Sequence, residues 1–183
     1  MIDYCLKPEI EVLSKEITGR VYSHSKDYRP MENMINVPVN IDLYLNDCGL
    51  SVKYAKEENF QIDDSYFGSK YDLDKKTISL NPTLSKELQL FEIMFHLSHY
   101  YLRLPLHDLL RYDSSLSCVN HKSRTKEIFD LTLAFLMPKN TLITLWPLCN
   151  SLSDLAYKFN VSPIMVGIRL QALGVDHSSI PSR

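Results

Sequence analysis

Two histidines that are three positions apart, His96 and His99, are the residues of this sequence best suited to chemistry. They lie in the apolar stretch FEIMFHLSHYYLRLP, residues 91–105. Residues at this spacing are neighbours on the surface of a helix, and pairs of this kind bind metal ions in helical bundles. The same pattern also fits a buried His99 that is hydrogen-bonded to a nearby group, beside a partly exposed His96. A metal site and a structural role therefore both stay open.

The apolar residues around these histidines predict one long central helix, from about Leu84 to Leu104. They recur at intervals of three or four residues and form two stripes, so that the helix is apolar on nearly all sides. Such a helix lies in the middle of its domain. Pro105 ends it, because proline cannot continue a helix. The first stripe is Leu84, Leu88, Phe91, Phe95, His99 and Leu102, and the second is Leu90, Met94, Leu97 and Tyr101.

Shorter elements flank this helix on both sides. Two extended runs around the polar turn LDKK predict a β-hairpin, marked by Tyr71, Ile78 and Leu80. The other predicted elements are a helix over 8–22, a short helix closed by Gly49, a strand over 51–55, a helix over 124–136 that Pro138 ends, and two C-terminal helices capped by Ser153 and Ser162, the second with Pro163 at its first position.

The composition excludes several classes of protein. The chain has 183 residues and a net charge of -2, which gives no general attraction to nucleic acid or to an anionic membrane. No apolar signal segment begins the chain, and no window approaches the length of a membrane span, so we expect a protein that meets no membrane. The four cysteines are far apart and predict reduced thiols in the cytoplasm.

Three segments, in this order, resemble the ImmA/IrrE family of zinc metallopeptidases. The central helix with its HYYL is similar to the family's HExxH helix, which is followed by a tyrosine and leucines. KEIFDLTLAFLMP is similar to the family's Glu-Ala-Asn, Phe-Ala, Leu-Leu-Met-Pro segment, and LAYKFNVSPIMVGIRLQALGV is similar to its helix-turn-helix-like ending. With the hairpin that ends in ISLNP, the resemblance covers roughly residues 38–175.

The resemblance implies an α+β fold with a zincin-like core, in which a small β-sheet packs on the central helix. A helix-turn-helix-like helical subdomain completes the C-terminus. We therefore expect an N-terminal helical extension over 1–30, a metallopeptidase-like domain over 31–142 and the helical subdomain over 143–183. The extension lies outside the resemblance, and we expect it to plug the cleft or to form an interface.

The resemblance also places the family's metal site on residues of this sequence. With the second zinc-binding histidine on His99, the first falls on Phe95, the catalytic glutamate on His96 and the third ligand on Glu127. Phenylalanine cannot bind zinc, and imidazole is a poor replacement for the carboxylate that polarises the zinc-bound water. Ile128-Phe129 stands where the family has Ala-Asn, and the larger apolar groups suggest that the metal cavity is filled.

The expected function is therefore protein binding without catalysis and without a cofactor. A degenerate member of the family keeps the substrate cleft and binds a partner, which the resemblance implies to be a repressor-type regulator of a bacterial mobile element or prophage. An extended segment of this partner can add to the hairpin at Tyr71, Ile78 and Leu80, since main-chain pairing needs no catalytic residues.

Two other functions stay open. One is an active zinc metallo-endopeptidase in which His96, His99 and Glu127 bind the zinc and a helix-turn-helix repressor is cleaved. The other is a DNA-binding regulator that uses the C-terminal helices, with Arg169 as the candidate contact. Residues 151–183 carry three basic and two acidic side chains, a net charge of +1, which argues against phosphate binding. The last helix instead offers residues that look suited to packing: Ile164, Val166, Ile168, Leu170 and Leu173.

Overall fold

The computed structural model describes residues 8–29, 34–56, 61–62, 65–66, 68–72, 74–103 and 121–176. The helices are α1 (Pro8–Val21), α2 (Ile41–Cys48), α3 (Lys86–Arg103), α4 (His121–Leu136), α5 (Lys139–Leu145), α6 (Leu152–Phe159) and α7 (Pro163–Ala172), with a 3-10 turn at Trp146–Leu148. The strands are β1 (Tyr28–Arg29), β2 (Met34–Ile35), β3 (Ser51–Tyr54), β4 (Gln61–Ile62), β5 (Ser65–Tyr66), β6 (Ser69–Asp72) and β7 (Thr77–Leu80). This mixture of helices and small sheets is an α+β fold, as expected.

The predicted central helix is confirmed as α3, which packs along α4. Met94, Leu97 and Tyr101 form its buried face, and these residues belong to the second of the two predicted stripes. The Tyr101 ring lies 5.6 Å from the ring of Phe135, which is fully buried on α4. Burying one such side chain stabilises a fold by roughly 1.5–3 kcal/mol. The contact between α3 and α4 therefore fixes the helix that carries the candidate site.

The predicted hairpin is confirmed, but its second strand lies in the middle of a sheet. β6 and β7 pair antiparallel, with Tyr71 opposite Ile78, and β3 pairs in parallel with the other side of β7. Ile78 and Leu80 are fully buried. The expectation that they contact a partner is corrected, because their side chains belong to the core and β7 has a neighbour on both sides. Within the residues described, β6 is an outer strand of this sheet and keeps Tyr71 near its edge.

Helix α1 is built into the core through α2 and α4. Ile10 and Ile17 are buried, and the Thr18 hydroxyl lies 3.0 Å from the Tyr44 hydroxyl of α2. This packing gives α1 a structural role. A division of the chain at residue 30 remains a prediction, as does the use of this part as a plug or an interface.

Two of the three helix caps predicted from the sequence are confirmed. Gly49 ends α2 with a φ of 63°, a left-handed conformation that glycine adopts without steric cost. Ser162 caps α7, and Pro163 occupies its first position, both as predicted. Ser151, and not Ser153, caps α6, because its side chain accepts the hydrogen bond from the Asp154 backbone N–H.

The C-terminal part contains more helix than predicted. Helix α5 and the 3-10 turn were not predicted, and α4 begins at His121, about three residues before its predicted start. The predicted boundary between residues 142 and 143 lies inside α5, and that division also remains a prediction. In α7, Val166 and Leu170 are fully buried as expected, but Ile164 is 75% exposed.

None of the helices in the described part of the chain is by itself long and apolar enough to cross a membrane, although Lys126–Leu136 and Lys139–Leu148 meet the length and composition test as a pair bent by 56°. Cys48 and Cys149 are buried cysteines in the reduced form. Burial raises the pKa of Cys48 to about 11, which makes this thiol unreactive near neutral pH. The predicted helix end at Leu104 and Pro105, and two of the four cysteines, Cys5 and Cys118, lie outside the described residues.

Candidate functional site

Three polar side chains join α3 to the outer strand β6. Glu92 and His96 lie one turn apart on α3, and Ser69 is the first residue of β6. The Ser69 hydroxyl donates to Glu92 Oε2, and its oxygen lies 2.7 Å from His96 Nε2. Alternate residues of a strand share a face. Tyr71 therefore also faces α3, and its ring centre lies 5.9 Å from that of His96. We call Ser69, Glu92 and His96 the polar triplet.

The order of the hydrogen bonds in the polar triplet does not activate a nucleophile. A hydroxyl has a single proton, and Ser69 donates it to Glu92. His96 Nε2–H must then donate to the Ser69 oxygen. In a catalytic triad the histidine accepts the serine proton and the carboxylate orients the histidine. The polar triplet instead holds β6 against α3.

Burial lowers the pKa of His96 to about 4, because the charged imidazolium loses its hydration there. The ring is therefore neutral at pH 7. This agrees with its hydrogen bond to a hydroxyl and with its position against Tyr71. His96 nevertheless keeps a partly exposed surface, which agrees with the expectation from the sequence, and its use as a metal ligand remains a prediction.

The lowered pKa of His96 predicts a loss of stability in acid. An unfolded histidine has a pKa of about 6.5, so between that value and about pH 4 the unfolded chain binds more protons than the folded one. The stability that neutral His96 contributes is fully present above the unfolded pKa of about 6.5 and is lost as the pH falls through the folded pKa of about 4. His96 keeps some contact with solvent, so the effect is smaller than the full shift would give, and we expect a loss of about 2 kcal/mol.

The measurement is urea unfolding of the wild type and of His96→Gln at neutral and acidic pH. Glutamine can still donate a hydrogen bond to Ser69 but does not titrate. Other groups also titrate in acid, so the difference between the two proteins isolates His96. Equal pH dependence in both proteins would show that His96 makes no such contribution.

Phe95, which the family resemblance places at the first zinc-ligand position, lies beside other aromatic rings. Its ring centre is 6.0 Å from Phe91, and Phe91 is 5.9 Å from Phe129 of α4. These distances are typical of favourable aromatic pairs. Phe129 itself stands at a position where the family has a small polar segment. The rings therefore connect α3 and α4 through apolar contacts near the expected metal position.

The predicted ligands His96, His99 and Glu127 are not brought together. Among the described residues, no group of three His, Cys, Asp or Glu side chains is placed to hold a metal ion. His96 turns toward β6 and Ser69, whereas His99 and Glu127 are partly buried elsewhere on α3 and α4. The residues that the resemblance places at the zinc positions do not fit that metal, because Phe95 has no donor atom.

Arg169, the candidate DNA contact, is fully buried. Its Nε donates to the Met137 carbonyl at 3.2 Å, and its Nη1 forms an ion pair with Glu11 of α1. Nη2 has no hydrogen-bond partner within the described residues. An arginine in this position cannot reach a phosphate. The suggestion that Arg169 contacts DNA is therefore corrected, and the residue ties α7 to α1 and to the end of α4.

Sequence reasoning missed Ser69 and Glu92. Glu92 precedes His96 by four residues and therefore lies on the same face of the helix, which was a signal available in the sequence. Ser69 had no such signal, because its contact with α3 depends on how the hairpin packs. Ser98 and Thr132 were also missed; their buried hydroxyls lie 3.1 Å apart between α3 and α4.

Comparison with protein families agrees with the motifs in the sequence. The family model of the IrrE N-terminal-like domain, from the peptidase M78 family, matches residues 46–171, about two thirds of the chain. The chain belongs to the IrrE N-terminal-like domain family. In this IrrE-like chain the match begins in α2 and ends in α7, so it includes the polar triplet and Phe95, and α1 precedes it. No curated protein matches the sequence at a significant level.

The fold of this IrrE-like chain is similar to that of a solved structure described as a Mycobacterium tuberculosis transcriptional regulator. The TM-score is 0.64 at 17% sequence identity, and the alignment covers 91% of this chain and 48% of that chain. The chain therefore spans about half the length of that regulator. At this identity the likeness concerns the fold.

Proposed function

We propose that this chain is a catalytically degenerate IrrE-like protein that binds a repressor-type regulator of a bacterial mobile element or prophage. It acts in the cytoplasm, holds its partner in the cleft beside α3, and does not cleave it. Its core derives from the zincins, with α3 in the place of the zinc-binding helix and the sheet of β3, β7 and β6 against it. Helices α6 and α7 are the helix-turn-helix-like ending. No cofactor takes part.

The proposal rests on Phe95 and His96 of α3, which replace a zinc ligand and the catalytic glutamate of the family motif. Phe95, at the first ligand position, has no donor atom and packs against Phe91. His96, at the position of the catalytic glutamate, is a neutral ring whose Nε2 is engaged by Ser69. Without a general base, a rate falls by roughly 10²–10⁴-fold. The loss of a metal ligand also removes the means of activating water.

The outer edge of β6 is suited to main-chain pairing with an extended partner segment. Asn81 N–H donates to the Gly68 carbonyl at 3.0 Å, which makes these two residues a hydrogen-bonded pair of the ladder. Such pairs alternate in antiparallel sheets. The backbone groups of Ser69 and Tyr71 therefore point away from β7, toward the outer edge. A strand added here would receive main-chain hydrogen bonds without any catalytic residue.

A protein partner suits this chain better than nucleic acid. The net charge is -2, and Arg169 is buried. The outward side chains of α6 and α7 include Tyr157 at 88% exposure and Ile164 at 75%. Exposed large apolar groups are typical of protein contacts rather than phosphate contacts. The likeness in fold to a solved transcriptional regulator supports a regulatory setting.

The test uses the purified chain and the purified helix-turn-helix regulators encoded near its gene. We expect one of them to form a complex in calorimetry and light scattering and to stay intact in mass spectrometry after long incubation with added zinc. We also expect far less than one zinc per chain by elemental analysis. An unrelated helix-turn-helix protein of similar charge serves as the binding control.

Zinc-dependent cleavage of such a regulator would contradict the proposal, provided that it is lost in His99→Ala. Cleavage that survives His99→Ala points to a contaminating protease, because His99 is the histidine that matches the family motif. Absence of a complex with every regulator tested would also count against the proposal. Salt-sensitive binding to DNA alone would favour a different function.

A further inference from the structure

Glu92 is a partly buried carboxylate, and no cationic side chain in the described part of the chain forms an ion pair with it. Its hydrogen-bond partner in the described part of the chain is Ser69, and the ion pairs there involve other carboxylates. His96, the neighbouring titratable group, is neutral at pH 7. A carboxylate that has lost part of its hydration is stabilised when a positive group takes the place of water. Glu92 therefore offers an unused acceptor for a cation.

The fold makes room for this carboxylate at Gly68. A Cβ atom at Gly68 would lie 3.1 Å from Glu92 Oε1 and 3.0 Å from Leu84 Cδ1, closer than ordinary van der Waals contact. The missing side chain lets the carboxylate rest against the backbone at the start of β6. Oε2 is held by Ser69, and Oε1 faces Gly68. Glu92 is thus fixed next to the edge at which the proposed partner segment pairs.

We propose that Glu92 is the specificity-determining residue of this cleft, and that it binds an arginine or lysine side chain of the partner segment. The inference rests on the proposed function and names the chemistry of the partner. In a strand paired with β6, alternate side chains share the face of Ser69 and Tyr71, toward α3 and Glu92. A charge-assisted hydrogen bond to a partly buried carboxylate is stronger than one between neutral groups. Regulators that bind DNA carry such cations for their phosphate contacts.

The experiment uses fluorescein-labelled peptides of alternating threonine and valine, with arginine, glutamine or glutamate at the central position. Fluorescence anisotropy is measured with the full chain at low and at high salt. We expect the arginine peptide to bind about tenfold or more tightly than the glutamine peptide, as for a hydrogen bond to a charged group. High salt should reduce this difference. A peptide with alternate backbone N-methyl groups should not bind, because it cannot pair with β6.

Glu92→Gln should reduce the preference for arginine over glutamine to less than about twofold, since the amide still accepts from Ser69 but carries no charge. The matched control is Glu87→Gln, an exposed carboxylate in the first turn of the same helix, which should keep the full preference. Glu92→Lys should reverse the preference in favour of the glutamate peptide. Thermal unfolding checks that each variant is folded.

Equal binding of the arginine and glutamine peptides would overturn the role of Glu92 and leave the proposed function standing. If no peptide binds and an intact regulator binds at a site that does not include β6, the inference fails and the cleft is not the docking site. If neither binds, the inference and the proposed function both fail. Titration with zinc or manganese is a separate arm: metal binding that is lost in Glu92→Gln would assign this carboxylate to a metal and overturn the inference.

Discussion

Arg169→Ala is expected to lower the free energy of unfolding by about 3–4 kcal/mol, a large part of the stability of a typical domain. The guanidinium is fully buried, where it pairs with Glu11 and donates to the Met137 carbonyl. Alanine removes these contacts, leaves a cavity and strands the carboxylate. Because Glu11 keeps some contact with water, the cost falls short of the largest values known for broken buried ion pairs.

Arg169→Met tests whether the charge or the volume of the side chain matters. Methionine fills the space of the aliphatic stem, and replacement of a buried ion pair by apolar groups is often neutral. We expect Arg169→Met, combined with Glu11→Gln, to lie within about 1 kcal/mol of the wild type. Urea unfolding followed by circular dichroism measures all of these changes.

Arg20→Ala is the matched control. Arg20 also pairs with a carboxylate, Asp47 at 2.7 Å, but its side chain is 58% exposed. Exposed ion pairs contribute about 0–1 kcal/mol, so this variant should be nearly as stable as the wild type. If Arg169→Ala proved equally harmless, Arg169 would not be the tie between α1 and α7. A surface role for that arginine would then be open again.

The parts of the fold that depend on local patterns were predictable. Helix α3 followed from apolar spacing. The end of α2 followed from Gly49, and the hairpin from a polar turn between two extended runs. These signals act within a few residues along the chain, so the sequence displays them directly. The motifs also pointed to the family, and the family match confirmed that membership.

The parts that depend on contacts between distant residues were not predictable. The parallel pairing of β3 with β7 places Ile78 inside the sheet, and no local pattern distinguishes this position from an edge. Arg169 looked like a surface residue because its partner Glu11 is 158 positions away. Ser69 is 23 positions from Glu92, so the polar triplet exists only once the hairpin lies on α3. The structure therefore differs most from the prediction at the candidate site and least in the helices.

Phe95→His is expected to raise the affinity for zinc by at least about 100-fold, because it adds a metal ligand. Even the loss of a group that only hydrogen-bonds to a ligand lowers metal affinity by about 10–100-fold. The substitution places a second imidazole one turn before His99, so that both face one way and Glu127 is the third family ligand. It leaves His96 and its contact with Ser69 unchanged. Competition with a zinc-binding dye measures the affinity, and elemental analysis gives the stoichiometry.

Three further variants decide how this result is interpreted. Phe95→Leu should not gain zinc, because it removes the ring without supplying a donor. Phe95→His with His99→Ala should lose the gain, because a single histidine remains on that face of α3. If Phe95→His alone fails and adding Phe129→Asn succeeds, the ring that packs on Phe91 excludes the metal. If both fail, α3 and α4 do not approach as a zinc site requires, and the proposed loss of catalysis lies in the backbone as well as in the side chains.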